Sequence, residues 1–371
     1  MNFLKRLLTK KATAPANQSL WEWFVEHEQT LFLAVKSKDS QKINDRFLQA
    51  IMPRLQATHD TLYCEIGMFD DATAELVISA QGDVKSFVFA EELVAAAPSL
   101  TRWKFTALKP SMGLHDMGIR MGGYAFDWKK IGFFYDDDPR YPDEIQLSFV
   151  HQDFTAENKD LVTQGVFLFL ETVLGERDAA TLVDRGSVIG PSPDNKPLIP
   201  MEKLIDFLNW KEKEFVEKYQ GVRHQTNNDD YLALDGEDNE GFPSIAVVNK
   251  DLLNWDAKAS HPWMLVLEID YKKTNGAGKK GLPDDKHYQL MTQFEEELSR
   301  QLPDSAGYLS LGRQTYKSTT TFFLACKEYR NASKKTYELL QRYAQQLACS
   351  YEIYKDKYWK TMEAFRSEEV N

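Results

Sequence analysis

From Trp263 to Tyr271 the chain alternates. Leu265, Leu267, Ile269 and Tyr271 take one set of positions, and Met264, Val266, Glu268 and Asp270 take the other. Period-two alternation defines a strand with two faces, and Glu268 and Asp270 turn the second face toward water. Gly281-Leu-Pro-Asp-Asp285 then interrupts the pattern, with Asp284 or Asp285 placed to cap a helix. Tyr288, Met291, Phe294, Leu298 and Leu302 follow three or four residues apart, the spacing of one buried helix face. Two β-rich runs, Gly307–Gln314 and Thr319–Cys326, are joined by Thr315-Tyr-Lys-Ser318, short enough for a hairpin. A second helix starts near Asn331 or Ser333 and buries Thr336, Leu340, Tyr343 and Leu347. Tyr351–Lys355 closes the pattern as a strand. The order β-α-β-β-α-β predicts an antiparallel sheet with both helices on one face, the ferredoxin-like arrangement. That arrangement hosts many unrelated activities, so it does not specify chemistry.

The first half reads as helices and short strands. Ser19-Leu-Trp-Glu22 is a capping box, and the helix it opens turns Leu20, Trp21, Phe24, Leu31 and Val35 inward. A second helix spans Ser40–Thr58, and a hairpin joins Thr61–Phe69 to Ala74–Ala80. Phe87–Ala97 is a helix and Thr101–Lys109 a strand. Tyr124–Tyr135 and Glu144–His151 are two more strands, and Asn158–Ala180 is one long apolar helix. Gly186–Pro200 reads as a linker, Met201–Tyr219 as a helix, and the polar Val222–Asp230 as a domain boundary. The fold class is α+β, with two antiparallel-sheet α/β-sandwich domains. A basic arm over 1–18 precedes an α+β domain over 19–221 and a ferredoxin-like domain over 222–371.

Several short motifs punctuate the C-terminal pattern: Pro243, Val248-Asn249, Pro262-Trp263, Gly281-Leu282-Pro283, Phe294-Glu-Glu-Glu-Leu298 and Asp356-x-x-Trp359. Together they resemble DUF695, a bacterial domain family of unknown function, over the last third of the chain. The family's aromatic-rich strand is kept in part, as Phe322-Phe-Leu-Ala-Cys326. Some relatives are similar in layout to the ribonuclease E inhibitor RraB, a ferredoxin-like regulator. The resemblance therefore implies a binding role and supplies no catalytic residues.

Charge and cysteine usage narrow the classes. The formal net charge is −11, which argues against broad nucleic-acid binding, since that needs a basic footprint. Cys64, Cys326 and Cys349 form no CxxC pair and read as free thiols in a reducing, cytoplasmic compartment. No run is long and apolar enough for a transmembrane segment. Met1–Lys11 carries positive charge without a following apolar core, unlike a signal peptide.

Two carboxylate clusters invite a metal reading. Asp136, Asp137 and Asp138, with Asp143 and Glu144, could offer oxygen ligands to a divalent cation; the competing reading is a solvated loop. Asp235-Gly-Glu-Asp-Asn-Glu-Gly241 approaches a calcium loop, yet Glu240 stands where glycine is required. The histidines show no HxH or HExxH spacing, and there is neither a GxSxG elbow nor a P-loop. His151 is expected to be a hydrogen-bonded strand-end residue. His115, Arg120 and Tyr124 would line a glycine-rich flexible segment, and Trp255, Trp263 and Trp359 are expected to pack together at one sheet edge.

Three functions remain open from sequence. The leading one is a non-enzymatic regulatory module meeting a protein partner, with no cofactor. The others are a metal-dependent hydrolase using the Asp136–Glu144 loop and a small-ligand binder with an aromatic-lined pocket.

Overall fold

The computed structural model describes residues 19–114, 118–191 and 197–366. The basic arm over 1–18 and His115 lie outside the described residues. The fold is α+β, in two compact units. One takes the described residues of Met1–Asp127 with Gln164–Ala180, and the other those of Trp128–Thr163 with Thr181–Asn371. This division interleaves the chain and does not follow the boundary expected near residue 222. The polar stretch there is held by specific bonds: Thr226 N–H donates to Asp304 at 2.9 Å, and Lys327 Nζ donates to the Val222 carbonyl at 2.6 Å.

The first unit begins with α1 (Leu20–Lys36), α2 (Ser40–Ile43), a π-helical stretch (Asn44–Leu48) and α3 (Gln49–Thr58). The capping box at Ser19 and Glu22 is formed, both bonds being present. Strands β1 (Tyr63–Met68) and β2 (Ala74–Ser79) pair antiparallel. After α4 (Phe87–Ala95), β3 (Trp103–Ala107) joins β2 in parallel. Phe24 of α1 packs edge-on against Trp103 at 4.7 Å and Phe105 at 5.3 Å, so aromatic burial ties the helices to this sheet. A hairpin, β4 (Gly118–Met121) with β5 (Tyr124–Asp127), follows.

The unit is completed from Gln164 by the rest of α5 (Lys159–Leu174), and by α6 (Glu176–Thr181). One continuous helix was expected here. The break falls at Gly175 (φ +81°), where an added Cβ would stand 2.7 Å from Ser111 N. A close backbone approach, which helical periodicity does not encode, ends the helix.

The second unit contains two sheets. In the four-stranded one the order is β8 (Arg185–Ile189), β7 (Gln146–His151), β6 (Ile131–Asp136), β9 (Ile199–Pro200). β8 and β9 occupy the stretch expected to be a linker. β8 runs parallel to β7, a non-local pairing hidden by its glycine and serine content. Helix α7 (Leu204–Tyr219) lays Phe207 against Phe133 and Tyr135 of β6, at 5.8 and 5.2 Å.

The six-stranded sheet is antiparallel throughout. Its order is β10 (Tyr231–Glu237), β11 (Pro243–Asn249), β13 (Tyr308–Tyr316), β14 (Thr319–Cys326), β12 (Trp263–Asp270), β15 (Cys349–Lys355). Helices α9 (Asp285–Gln301) and α10 (Arg330–Tyr343) lie on one face. Phe294 of α9 meets Phe322 of β14 at 6.1 Å, and Ser333 of α10 bonds Tyr351 of β15 at 2.8 Å. Phe322 and Tyr351 both register with Leu267, so they share its face. Asp284 caps α9 through the His287 N–H. α10 has no side-chain cap at its start; Glu328 accepts the Asn331 N–H instead. The β13–β14 turn has positive φ at both Lys317 and Ser318, as a two-residue hairpin requires.

The opposite face buries Met264, Leu311, Phe323, Ala325, Trp359 and Met362 beneath the short helix α8 (Lys250–Leu253) and residues 359–365. Among the described residues no helix is long and apolar enough to cross a membrane.

Candidate functional site

Strand β15 runs on into Lys355-Asp-Lys-Tyr-Trp-Lys360, and the local geometry of this segment sets the site. Asp356 accepts the N–H groups of Lys360 at 2.8 Å and Thr361 at 2.9 Å, capping the following 3-10 turn. Trp359 takes a left-handed conformation (φ +53°), is fully buried, and donates its indole N–H to the His261 carbonyl at 3.0 Å. The motif Asp356-x-x-Trp359 is thus a turn with an anchor, and its role is to aim three lysines.

Each lysine meets a different partner. Lys355 Nζ donates to the Thr181 carbonyl at 2.7 Å and lies 3.1 Å from Asp184 Oδ1. Lys357 is 1% exposed; its Nζ donates to Asp184 Oδ2 at 2.7 Å and to the Asp143 carbonyl at 2.5 Å, beneath the Phe215 ring. Lys360 Nζ reaches Glu144 at 2.7 Å and sits 3.5 Å from the Tyr141 ring centroid. Burial pushes the Lys357 ammonium down, aided by repulsion from Lys355 and opposed by Asp184 and Glu212.

Asp143 is the second focus. Its carboxylate accepts from Lys218 at 2.7 Å and from the hydroxyls of Tyr219 and Tyr358, each at 2.8 Å. Burial works to raise this carboxyl, but these three donors outweigh it and the net direction is down. The same carboxylate, with burial leading, holds the Tyr358 and Tyr219 hydroxyls above their usual range.

A groove of about 500 Å³ opens beside this cluster, lined by Tyr135, Pro142, Asp143, Lys211, Phe215 and Lys218 among others. Lys211 and Lys218 stand two helical turns apart on α7. Lys211 Nζ lies 4.9 Å from the Tyr135 ring and 4.8 Å from that of Trp210, which is 52% exposed.

The carboxylates weighed as a cation site against a solvated loop have other partners. Asp136 accepts from Ser148 Oγ at 2.6 Å, across β6 and β7. Asp138 is clasped by Arg140, whose guanidinium and backbone N–H bring its pKa down to about 2. Asp143 and Glu144 face lysines. Among the described residues no three His, Cys, Asp or Glu side chains are placed to hold a metal ion. The Asp235–Gly241 stretch is a hairpin turn in which Asp238 accepts from Glu240 and Phe242 N–H and from the Tyr316 hydroxyl.

His151 is buried at the end of β7, where its Nδ1 accepts the Asp153 N–H at 3.2 Å. Arg120 and Tyr124 sit on the β4–β5 hairpin of the first unit, Arg120 exposed. Trp255 and Trp359 pack at 6.0 Å. Trp263 does not join them: it shares the helix-side face of β12 with Leu265, and its ring packs tilted against Tyr329 at 4.6 Å. Strand parity separates residues that looked adjacent by position alone.

The sequence reading missed Lys355, Lys357, Lys360 and Asp184. A lysine two residues from another at a strand exit, next to an aromatic run, was the available signal for the lysines. Asp184 carried none.

Residues 237–365 match DUF695, a family of unknown function. The three lysines and Trp359 lie inside the matched span, while Asp143, Glu144, Asp184 and α7 lie outside it. No curated protein and no solved structure matches the chain.

Proposed function

We propose that the chain is a non-catalytic protein-interaction module and that the groove along α7 is its docking face. The observation that carries this reading is a groove walled by the rings of Tyr135 and Phe215 and the stems of Lys211 and Lys218, with the exposed Trp210 ring 4.8 Å from Lys211 Nζ. Exposed tryptophan beside a partly apolar groove is the composition of a binding hot spot. The ion pairs beneath support it in a second way. Lys355 and Lys357 are committed to Asp184, and the Asp143 carboxylate to Lys218, Tyr219 and Tyr358, so these charges act as a rigid floor. The partner is a protein segment that lays an apolar anchor between Tyr135 and Phe215.

The test is affinity capture with the full chain, comparing wild type with Trp210→Ala. A protein retained by wild type and lost from a variant of unchanged melting temperature supports the reading. Identical captured sets for the two proteins overturn it. The groove's size also falls in the range of small-molecule sites, so a small amphipathic ligand is the second reading. Thermal shift against a metabolite panel distinguishes it, because a ligand of the folded state raises the melting temperature.

A further inference from the structure

The six-stranded sheet ends in the edge strand β10. Among the described residues β10 pairs only with β11. The register from Tyr231 to Glu237 is unbroken, with no bulge and no proline. On the helix side of this edge, Tyr231 is 53% and Ile245 42% exposed. On the other side, Leu232 and Leu234 are half-buried against the core and stop at open solvent. An unpaired edge strand with neither a bulge nor a proline is a template for strand addition.

The hydrogen-bond parity of β10 can be read from its two ends. Lys250 N–H donates to the Asp230 carbonyl at 2.8 Å, and Asp238 N–H donates to the Phe242 carbonyl at 3.1 Å. Even-numbered residues therefore bond β11. The N–H and C=O groups of Tyr231, Ala233, Asp235 and Glu237 point outward, since alternate residues of an antiparallel pair bond opposite sides.

We infer that the occupant of this edge is a second copy of the chain, paired antiparallel about a two-fold axis at Leu234. Symmetric pairing sets Leu234 against its own copy, Leu232 against Gly236, Ala233 against Asp235, and Tyr231 against Glu237. All four outward-facing residues then meet outward-facing partners, so both backbones are satisfied. Within Tyr231–Glu237 no like charges stand directly opposite; the same register sets Asp230 against Asp238 just beyond the strand ends, where Lys317, 2.9 Å from Asp238, offsets that charge. Gly236 leaves room for Leu232, and the leucines continue the core across the axis. The interface is isologous, as closed two-fold assembly requires. The opposite edge, β15, lacks this self-complementarity: pairing about its midpoint would set Glu352 against its own copy.

This inference is independent of the α7 groove. Its test is sedimentation equilibrium of the full chain up to about 100 μM, where a micromolar interface is saturated. Wild type is expected to form a dimer that dissociates on dilution. Ala233→Pro removes one outward N–H that the intramolecular ladder does not use, a substitution edge strands tolerate. It is expected to be monomeric with unchanged circular dichroism. A wild type that stays monomeric throughout, or a folded Ala233→Pro protein that dimerises equally, overturns the inference. Leu234→Cys adds a check on register that does not depend on proline. Mild oxidation should cross-link it to a covalent dimer while wild type, with its three native cysteines, stays uncross-linked. Absence of that cross-link also overturns the proposed pairing.

Discussion

Lys357 and Asp184 form a buried ion pair at 2.7 Å, with Lys357 1% exposed. Such a pair is worth less than it looks while whole, because desolvation consumes most of the attraction. Breaking it is costly because one charge is left buried without its partner. The two residues are not equivalent here. Removing Lys357 leaves Asp184 with Lys355 and the Ile145 N–H. Removing the Asp184 charge leaves two buried ammonium groups facing each other. Asp184→Asn is therefore expected to cost about 3–5 kcal/mol, and Lys357→Met distinctly less. Urea unfolding of the two variants tests the order, and an equal or reversed cost would refute this account.

Glu176 has a comparable role in the first unit. Its carboxylate is 1% exposed and accepts three backbone N–H groups: Ala80 and Gly82 at 2.9 Å, and Lys109 at 3.0 Å. The end of β2, the turn after it and the segment after β3 are thereby fixed to α6. Glu176→Gln puts an amide donor where a carboxylate accepted from backbone donors. An unpaired buried donor costs ~1–3 kcal/mol, and losing the charge-assisted bonds adds to that. The melting temperature should fall, and hydrogen exchange should quicken at Ala80, Gly82 and Lys109 before it does in β1. Uniform quickening would contradict the assignment.

The sequence made the C-terminal sheet legible because its code is local. Alternation from Trp263 to Tyr271 gave β12, the Thr315–Ser318 signal gave the β13–β14 hairpin, and Asp284 capped α9 as its position implies. The site was not legible because its code is non-local. Lys357 and Asp184 are separated by 173 residues, and Lys357 meets the Asp143 carbonyl across 214. Lysines at a strand exit ordinarily point to water, and only tertiary packing buried these. The carboxylates of the Asp136–Glu144 loop were visible as charges, but the cations that engage them were not. The break at Gly175 was hidden for the same reason, since it rests on a close approach to the Ser111 backbone, 64 residues earlier in the chain.

Gly312 provides a test of the six-stranded sheet. It lies at a register shift in β13 with φ +143°, and an added Cβ would stand 2.4 Å from the Val247 carbonyl and 2.7 Å from Val248 Cα. Both contacts are backbone, so no flexible side chain can yield. Gly312→Ala should destabilise by about 2–4 kcal/mol, the range of backbone strain added to overpacking. Calorimetry of the variant measures the loss, and a melting temperature within a degree or so of wild type would show that β11 and β13 can separate there.

His261 makes stability pH-dependent in a predictable direction. It is 1% exposed, its Nδ1 lies 2.8 Å from Ser260 Oγ, and Trp255 packs on its ring. Burial, with the positive fields of Lys327, His224 and Arg223, pushes its pKa from 6.5 down to about 3. The folded chain thus keeps this histidine neutral, while the unfolded chain protonates it below pH 6.5. Protons bind preferentially to the unfolded state, so stability falls as the pH drops from 6.5 toward 3. Between pH 6.5 and 5 the loss from this group is about 1.7 kcal/mol, the slope rising from half of 1.36 kcal/mol per unit at pH 6.5 to nearly the full value at pH 5. Urea unfolding followed by tryptophan fluorescence at the two pH values measures it. His261→Asn, which cannot titrate, should lower stability at neutral pH yet flatten the slope. If wild type and variant lose stability in parallel on acidification, the pH dependence originates in other groups.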